Sequence, residues 1–325
     1  MPRMNIIQAV NDALRLEMRR DDRVVVLGED VAKFGGVFRA TQGLVDEFGP
    51  LRIFDTPLAE GGIVGTAVGL ALYGFKPVPE IQFADFVYPA FDQLVNEVSK
   101  MRYRSGGQFS CPMVIRMPFG GGIRGGHYHS QSPEAYFVHT AGLKVVVPSN
   151  PYDAKGLLIS SIRSQDPVIF MEPKRVYRAS RGEVPEEDYT VELGKARVAR
   201  KGSDITILTY GALVHTVVET AEKVQGEENI AVEVIDLRTL MPYDIDTILA
   251  SVKKTGRVII VHEAPRTCGF GAELAATIQE KALLHLHAPV LRVTGFDTPF
   301  PYSLENDYLP GEARIRQAIR ETLDF

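Results

Sequence analysis

The sequence predicts an α/β protein of two domains, each built around a mostly parallel sheet. Its 325 residues leave room for two domains at roughly 100–200 residues each. The apolar runs are continuous rather than alternating, as is typical of parallel strands that are covered on both faces. Helix-like stretches separate these runs, which is the rhythm of a layered α/β fold.

The first half of the chain alternates helix-like and strand-like segments. Ile7, Val10 and Leu14 share one helical face, which predicts an amphipathic helix near the N-terminus. Buried strands are predicted at 24–27, 77–83, 113–117, 144–147 and 168–171, with helices at 62–73, 88–104 and 152–164.

The second half repeats the same rhythm after a polar, acidic stretch that begins at Arg181. We interpret 1–185 as the first domain, 186–202 as a linker and 203–325 as the second domain. Strands are predicted at 205–210, 232–237, 258–261 and 290–294, with helices at 213–224, 245–253, 271–284 and 311–323.

Composition argues against several classes of function. The formal net charge is −5 and no basic stripe appears, so nucleic-acid binding is not expected. No apolar run reaches the ~20 residues that a membrane span needs. Cys111 and Cys268 lie far apart in contexts that do not suggest a disulfide. No signal-peptide pattern is visible, and together these features predict a cytoplasmic protein.

Asp55–Gly65 is the most informative segment for chemistry. Glu60 stands at the mouth of an apolar helix that contains Gly65 and Gly69. Interior glycines cost helix stability, so they suggest a close approach by another helix or a ligand. Spacing alone favours a capping or solvated Glu60 over one that enters a cleft.

Gly120–Gly126 contains a literal G-x-G-x-x-G after a predicted strand. A dinucleotide fingerprint requires a helix to open at once. Here a polar stretch with His127 and His129 follows, and helix resumes only near Glu134. We therefore interpret the segment as a flexible loop that positions the two histidines.

The two histidines have no nearby cysteine or carboxylate to complete a metal site. Two interpretations stay open and carry similar weight: a loop histidine bonded to backbone, or a catalytic acid or base. His129, beside Ser130 and Gln131, is the better catalytic candidate.

Residues just past a parallel strand are candidates for ligand binding. Gln82 lies at the end of the strand predicted at 77–83 and Phe86 lies just past it, although a core position is the safer interpretation of Phe86. The Gly-Asp-Gly signature of metal-diphosphate binding does not occur, so another chain would have to hold any diphosphate cofactor.

Taken together, these segments resemble the beta subunits of thiamine-diphosphate-dependent 2-oxo acid dehydrogenases, from about Met4 to Phe325. The motifs that carry the resemblance are Leu27–Asp30, Gly35–Phe38, Asp55–Glu60, Ile81–Phe83, Arg102–Gly107, His129–Gln131, Pro151–Leu158, Asp236–Thr239 and Lys254–Arg257.

The resemblance implies a transketolase-like pyrimidine-binding domain followed by a transketolase-type C-terminal domain for assembly and docking. Glu60 matches the glutamate that hydrogen-bonds a pyrimidine nitrogen of thiamine diphosphate and favours its imino tautomer. Leu58, Gln82 and Phe86 match positions that line the pyrimidine pocket, and His129 matches a loop histidine near the substrate and the lipoyl group.

The resemblance also implies an α2β2 heterotetramer that is inactive without its alpha subunit, which would hold the diphosphate and magnesium. A lipoyl acyltransferase core is the expected further partner, with the segment ending at Phe325 as docking candidate. Potassium is implied at the positions matching Met113, Ser161, Ile162, Ser164 and Asp166.

The implied reaction is oxidative decarboxylation of a 2-oxo acid with acyl transfer to a lipoyl disulfide. Gly125–Ala135 and Glu172–Arg175 favour a branched-chain substrate slightly over pyruvate, with acetoin as a further option. The alternatives from other classes are a dinucleotide oxidoreductase and a non-catalytic assembly subunit.

Overall fold

The computed structural model describes residues 1–325, and the chain divides into two compact units. Unit 1 comprises Met1–Phe119 and Tyr136–Leu193, and unit 2 comprises Gly120–Ala135 and Gly194–Phe325. The sequence places the segment Gly120–Ala135 in the first domain, whereas its packing places it in unit 2. The loop that carries His127 and His129 therefore belongs to the same compact unit as the C-terminal half of the chain.

Unit 1 contains a sheet of parallel strands, as the continuous apolar runs predict. Within it β6, β7, β5, β4, β2 and β3 lie side by side in that order, while β1 and β8 form a separate antiparallel pair. The strands are β1 (Arg3–Asn5), β2 (Val24–Gly28), β3 (Ile53–Asp55), β4 (Lys76–Glu80), β5 (Val114–Phe119), β6 (Lys144–Val146), β7 (Val168–Pro173) and β8 (Arg181–Glu183).

Helices cover this sheet and begin at recognisable signals. A capping box formed by Asn5 and Gln8 opens α1, and Asn150 caps α6 just before Pro151. The helices α1 and α6 pack against each other through apolar faces. The helices are α1 (Ile6–Arg20), α2 (Leu44–Phe48), α3 (Glu60–Leu72), α4 (Met101–Arg104), α5 (Glu134–Val138) and α6 (Pro151–Arg163).

Two predicted elements of unit 1 were wrong in extent. The helix expected at 88–104 is broken into a 3₁₀ turn at Tyr88–Ala90, a π-helical stretch at Gln93–Val98 and the short α4. Tertiary packing overrides the apolar periodicity here, since α3 packs against both of the first two pieces. The strand expected at 77–83 ends at Glu80, so Gln82 lies in the connection beyond the sheet.

Unit 2 contains a second, smaller sheet with the order β14-β13-β10-β11-β9. All of its pairings are parallel except β9 with β11. Strand β9 lies within the segment interpreted as a linker, and its antiparallel pairing adds a fifth strand to the four predicted. The strands of this unit are β9 (Arg197–Arg200), β10 (Ile205–Thr209), β11 (Val232–Asp236), β12 (Thr239–Met241), β13 (Val258–Val261) and β14 (Leu291–Val293).

The helices of unit 2 pack on a core of β-branched strand residues, including Ile207, Val234 and Ile259. Asp244 caps one of them, and Gly256 ends the same helix in a left-handed conformation. No helix of the protein combines the length and the apolarity that crossing a membrane requires. The helices are α7 (Leu213–Glu228), α8 (Ile245–Thr255), α9 (Phe270–Ala282), α10 (Glu305–Tyr308) and α11 (Glu312–Leu323).

Candidate active site

The carboxyl edge of the unit 1 sheet gathers two of the predicted site residues, Glu60 and Gln82. Strand β2 has β3 on one side and β4 on the other, so the strand order reverses there. In open α/β sheets such a switch point, at the carboxyl ends of the strands, is the usual place for a ligand. Glu29 and Asp30 follow β2, and Gln82 follows β4.

Glu60 is the first residue of α3, which follows β3, and it is buried with 7% of its surface exposed. No side chain caps this helix, so its N-terminal backbone N–H groups provide a favourable field for the carboxylate. Close packing accounts for the glycine at position 61 of this helix, because a Cβ there would lie 3.0 Å from the backbone oxygen of Pro89. At Gly69, by contrast, a Cβ would meet nothing within 4 Å.

A second buried carboxylate lies near Glu60. Burial raises the pKa of Glu29, and the negative charges of Glu60 and Asp30 raise it further. Gln82 donates a hydrogen bond from Nε2 to Oδ2 of Asp30 over 3.1 Å. The structure thus brings Glu60 and Gln82 to one edge of the sheet, together with two carboxylates that the sequence did not single out. Such a cluster presents several hydrogen-bonding oxygen atoms to a ligand at this edge.

Aromatic rings lie beside this edge. Phe86 contacts Phe83 edge-to-face with ring centroids 5.6 Å apart, and Phe83 contacts Phe38 at 5.4 Å. Phe86 is half-buried, which suits either a core residue or the wall of a pocket. Leu58 is different, because 78% of its surface is exposed within this chain.

A buried ion network that sequence reasoning missed lies within the same sheet. Arg116 is fully buried and donates to Glu172 at 2.7 and 3.0 Å and to Glu80 at 2.7 Å. Tyr177 donates its hydroxyl to Glu172 over 2.5 Å. Burial raises the pKa of Glu80 against the opposing effect of Arg116. The sequence does show a charged residue inside each of these apolar strands. Which charged residues pair, however, depends on the order of the strands in the sheet.

The buried ion network is in direct contact with the aromatic rings beside the carboxyl edge. The ring of Tyr177 contacts Phe38 at 5.2 Å, and Phe38 contacts Phe83 in turn. The ammonium of Lys174 lies 5.5 Å from the centre of the Phe83 ring, within the range of a cation–π interaction.

His129 lies in the glycine loop of unit 2 and is half-buried. Its backbone N–H donates to Gly126 at 3.3 Å. The rejection of a dinucleotide fingerprint is confirmed, because Gly126–Tyr128 forms only a 3₁₀ turn and α5 begins at Glu134.

Two cations of the chain already lie at the positions predicted for potassium. Arg102 donates to Asp166 at 2.8 Å, and the ammonium of Lys144 lies 3.0 Å from the hydroxyl of Ser164. The carbonyl of Met113 accepts a hydrogen bond from Val168. Ser161 and Ile162 lie on α6, where Ser161 carbonyl accepts from Ser164. No group of three or more His, Cys, Asp or Glu side chains forms a metal cluster.

Comparison with known families covers both units. Residues 3–180 match the model described as "Transketolase, pyrimidine binding domain", and residues 194–315 match "Transketolase, C-terminal domain". A solved structure titled "Split gene transketolase, inactive beta4 tetramer" superposes with a TM-score of 0.81 over 99% of this chain and 98% of its own, at 24% identity. That likeness shows the fold.

Full-length relatives are much more similar in sequence. The mitochondrial 2-oxoisovalerate dehydrogenase subunit beta of Dictyostelium discoideum is 54% identical over 99% of this chain and 87% of its own. The pyruvate dehydrogenase E1 component subunit beta of Bacillus subtilis is 53% identical over the whole of both chains. The 2-oxoisovalerate dehydrogenase subunit beta of Pseudomonas aeruginosa is 51% identical over 99% and 95%.

Proposed function

The chain belongs to the family of 2-oxo acid dehydrogenase beta subunits, and we propose that it activates thiamine diphosphate for oxidative decarboxylation of a 2-oxo acid. The observation that carries this proposal is the placement of Glu60. It is buried at the start of a helix, on the carboxyl edge of the unit 1 sheet, beside the second buried carboxylate of Glu29.

Glu60 acts on the aminopyrimidine ring of the cofactor. Its carboxylate would accept a hydrogen bond from a protonated ring nitrogen and would thereby favour the imino tautomer. Burial and the neighbouring charge of Glu60 raise the pKa of Glu29, so Glu29 binds a proton more readily than an ordinary glutamate. When bound, thiamine diphosphate would supply a nucleophilic carbon for the oxo group and a thiazolium ring that serves as electron sink.

Leu58, Gln82 and Phe86 line the pyrimidine pocket in this proposal. The edge-to-face contact of Phe86 with Phe83 presents an apolar ring surface, and Gln82 is oriented by its hydrogen bond to Asp30. Leu58 is largely exposed in the single chain, so its apolar surface is available to the cofactor or to a partner subunit.

His129 is proposed to act beside the substrate, as a proton donor or as a residue that positions the lipoyl group. Its location in a glycine-rich loop suits either role, since an imidazole can donate a proton and can also hydrogen-bond a neighbouring group. The two roles predict different defects: loss of the donor lowers decarboxylation itself, whereas loss of positioning lowers only acyl transfer to the lipoyl group.

An alpha subunit completes the site in the proposed α2β2 heterotetramer and holds the diphosphate and magnesium. The exposed face of α3 supports such a partner. This apolar helix presents Gly62, Thr66 and Gly69 to its exposed side, and small residues allow a neighbouring helix to approach closely. The lipoyl acyltransferase core would bind unit 2, near the segment that ends at Phe325.

Potassium at Met113, Ser161, Ile162, Ser164 and Asp166 stays a prediction from family resemblance. Arg102 and Lys144 already neutralise the carboxylate of Asp166. A potassium ion there would therefore depend on main-chain carbonyl oxygens. A cytoplasmic location is likewise proposed, in keeping with the two free cysteines.

A branched-chain 2-oxo acid is the proposed substrate, with pyruvate as the second candidate. The segments Gly125–Ala135 and Glu172–Arg175 favour the first, while relatives of both kinds are similar to this chain to nearly the same degree.

The decisive experiment is co-expression with an alpha subunit. Decarboxylation of 3-methyl-2-oxobutanoate and of pyruvate would be measured with thiamine diphosphate, magnesium and a dye as electron acceptor. We expect activity only in the reconstituted pair and a higher kcat/KM for the branched-chain acid. A folded, cofactor-binding heterotetramer that is inactive with both acids would overturn this assignment and favour acetoin or an assembly role.

A further inference from the structure

The carboxyl edge of the unit 2 sheet is filled by the chain itself. Strand β10 has β11 on one side and β13 on the other, so this sheet also has a switch point, between β10 and β13. A ligand is expected at such a place. Instead, Tyr210, directly after β10, and Glu263, two residues after β13, hold the glycine loop Gly120–Ala135.

The start of the loop is held by Glu263. Its Oε2 accepts the backbone N–H of Gly121 over 2.8 Å, and both groups are buried. Gly120 has a positive φ of 82°, and a Cβ there would lie 2.9 Å from Oε1 of Glu263. The backbone thus passes so close to the carboxylate that only glycine fits without strain.

The end of the loop is held by Tyr210. Its hydroxyl donates to Oε1 of Glu134 over 2.6 Å, and the Glu134 side chain is fully buried. The Tyr210 ring is stacked at 6.1 Å on His262, the residue that follows β13. Both holding residues are therefore fixed by neighbouring strands of one sheet.

The middle of the loop is held by a third carboxylate and by apolar packing. Glu305, at the start of α10, accepts the backbone N–H of Arg124 over 3.0 Å. A Cβ on Gly121 would lie 2.8 Å from the ring of Phe300 and 3.1 Å from Leu309. Within the loop, the N–H of Gly120 donates to the carbonyl of Gln131 and closes it.

We propose that this edge of unit 2 is a seat for the glycine loop Gly120–Ala135, that is, a binding surface that fixes the path of the loop. Tyr210, Glu263 and Glu305 are then positioning residues for His129. The inference rests on the proposed function of His129. The holding groups contact backbone N–H groups at one end and in the middle of the loop and a buried carboxyl at the other end. They fix its path while Arg124, His127 and Tyr128 stay exposed and His129 stays half-buried. Unit 2 would thus serve catalysis as well as assembly.

The test measures loop opening directly in the reconstituted heterotetramer with bound thiamine diphosphate. Arg124 is exposed within the loop and provides a trypsin site, and cleavage after Arg124 would be followed by mass spectrometry. Tyr210→Phe removes one hydroxyl without changing the ring, and Glu263→Gln tests the other end. Tyr243→Phe is the matched control, because its hydroxyl bonds Thr277 elsewhere in unit 2.

We expect Tyr210→Phe and Glu263→Gln to raise the cleavage rate about tenfold, since a buried hydrogen bond to a charged group contributes enough for that factor. The control should cleave at the wild-type rate. In the two variants kcat should fall, while the dissociation constant of thiamine diphosphate stays unchanged. A variant that unfolds would lose cofactor binding too, and Gly121→Ala, which wedges the loop from Phe300, then provides the second test of seating.

Cleavage of both variants at the wild-type rate would overturn the proposal that this edge of unit 2 fixes the loop. Faster cleavage with an unchanged kcat would also overturn the positioning role. The proteolysis is informative even if the wild-type heterotetramer is inactive with every 2-oxo acid, so failure of the seat and failure of the proposed function are distinguishable.

Discussion

Both units have a switch point at the carboxyl edge of their sheet, but the two edges are used differently. In unit 1 the carboxyl edge between β2 and β4 presents the amide of Gln82 and the carboxylates of Glu29 and Glu60, and the charge of Glu60 helps burial to raise the pKa of Glu29. In unit 2 the corresponding edge between β10 and β13 is occupied by the loop Gly120–Ala135.

The difference teaches that topology fixes where a site can form and side chains decide what occupies it. Polar groups at the unit 1 edge come from short connections directly after the strands. At the unit 2 edge, Tyr210 and Glu263 are engaged by a segment from far earlier in the chain. One edge can therefore receive a cofactor, while the other supports a loop.

The largest effect is expected at the unit 1 edge. In the heterotetramer, Glu60→Ala should lower kcat by about 10²–10⁴-fold, because a proton-holding group in the chemical step contributes that much. Dye-linked decarboxylation measures it, with Glu97→Ala, which breaks a surface ion pair with Arg104, as the control. Near-normal turnover with bound cofactor would erase the distinction between the two edges and favour an assembly subunit.

The ion network of unit 1 should be the next most sensitive element. Arg116→Met leaves the buried carboxylates of Glu80 and Glu172 without their partner, which should cost about 3–5 kcal/mol. Arg102→Met breaks an exposed pair with Asp166 and should cost at most about 1 kcal/mol. The urea midpoints of the two variants give the comparison. Equal midpoints would show that the network does not hold the unit 1 edge together.

The unit 2 seat should give a pH dependence of its own. Burial raises the pKa of Glu134 from 4.5 to about 7, with Tyr210 opposing and Glu263 adding to the shift, while Tyr308 lies within the same electrostatic field. As the pH rises from about 4.5, the unfolded chain ionises first, so the unfolding free energy falls until about pH 7 and then levels off.

Glu134→Gln stays neutral, so it should remove this fall, which is at most about 3 kcal/mol for the shift that burial causes. Urea unfolding at pH 5 and pH 8 measures it, with Glu222→Gln as an exposed control in unit 2. A pH dependence that survives the substitution would assign it to groups outside the seat.

The smallest effect is expected for the aromatic rings beside the carboxyl edge of unit 1. Phe86→Leu keeps the apolar volume but loses the ring contact with Phe83, which is worth about 0.5–1.5 kcal/mol. The dissociation constant of thiamine diphosphate should therefore rise by up to about tenfold, as titration calorimetry on the heterotetramer would show. Unchanged affinity would assign Phe86 to the core, the alternative that its position also allows.

Much of the fold follows from local patterns. The apolar runs at 24–27 and 258–261 coincide with β2 and β13, and Asn5, Asn150 and Asp244 cap helices. The short strands β1, β3 and β9 carry no comparable signal, since three or four residues are too few to show a period. The helix expected at 88–104 failed because packing against α3 outweighed its periodicity.

The sequence by itself determined the α/β class, the alternation of strands and helices in both domains and the loop character of Gly120–Gly126. It also determined that Glu60 and His129 are candidate site residues. Those features depend on residues that are close in sequence. Only the tertiary structure decided that Arg116 meets Glu172, 56 residues away, and that Gly121 meets Glu263, 142 residues away. The physical reason is that strand order and the seating of a loop depend on which buried polar groups satisfy one another, and local periodicity carries no information about such distant pairs.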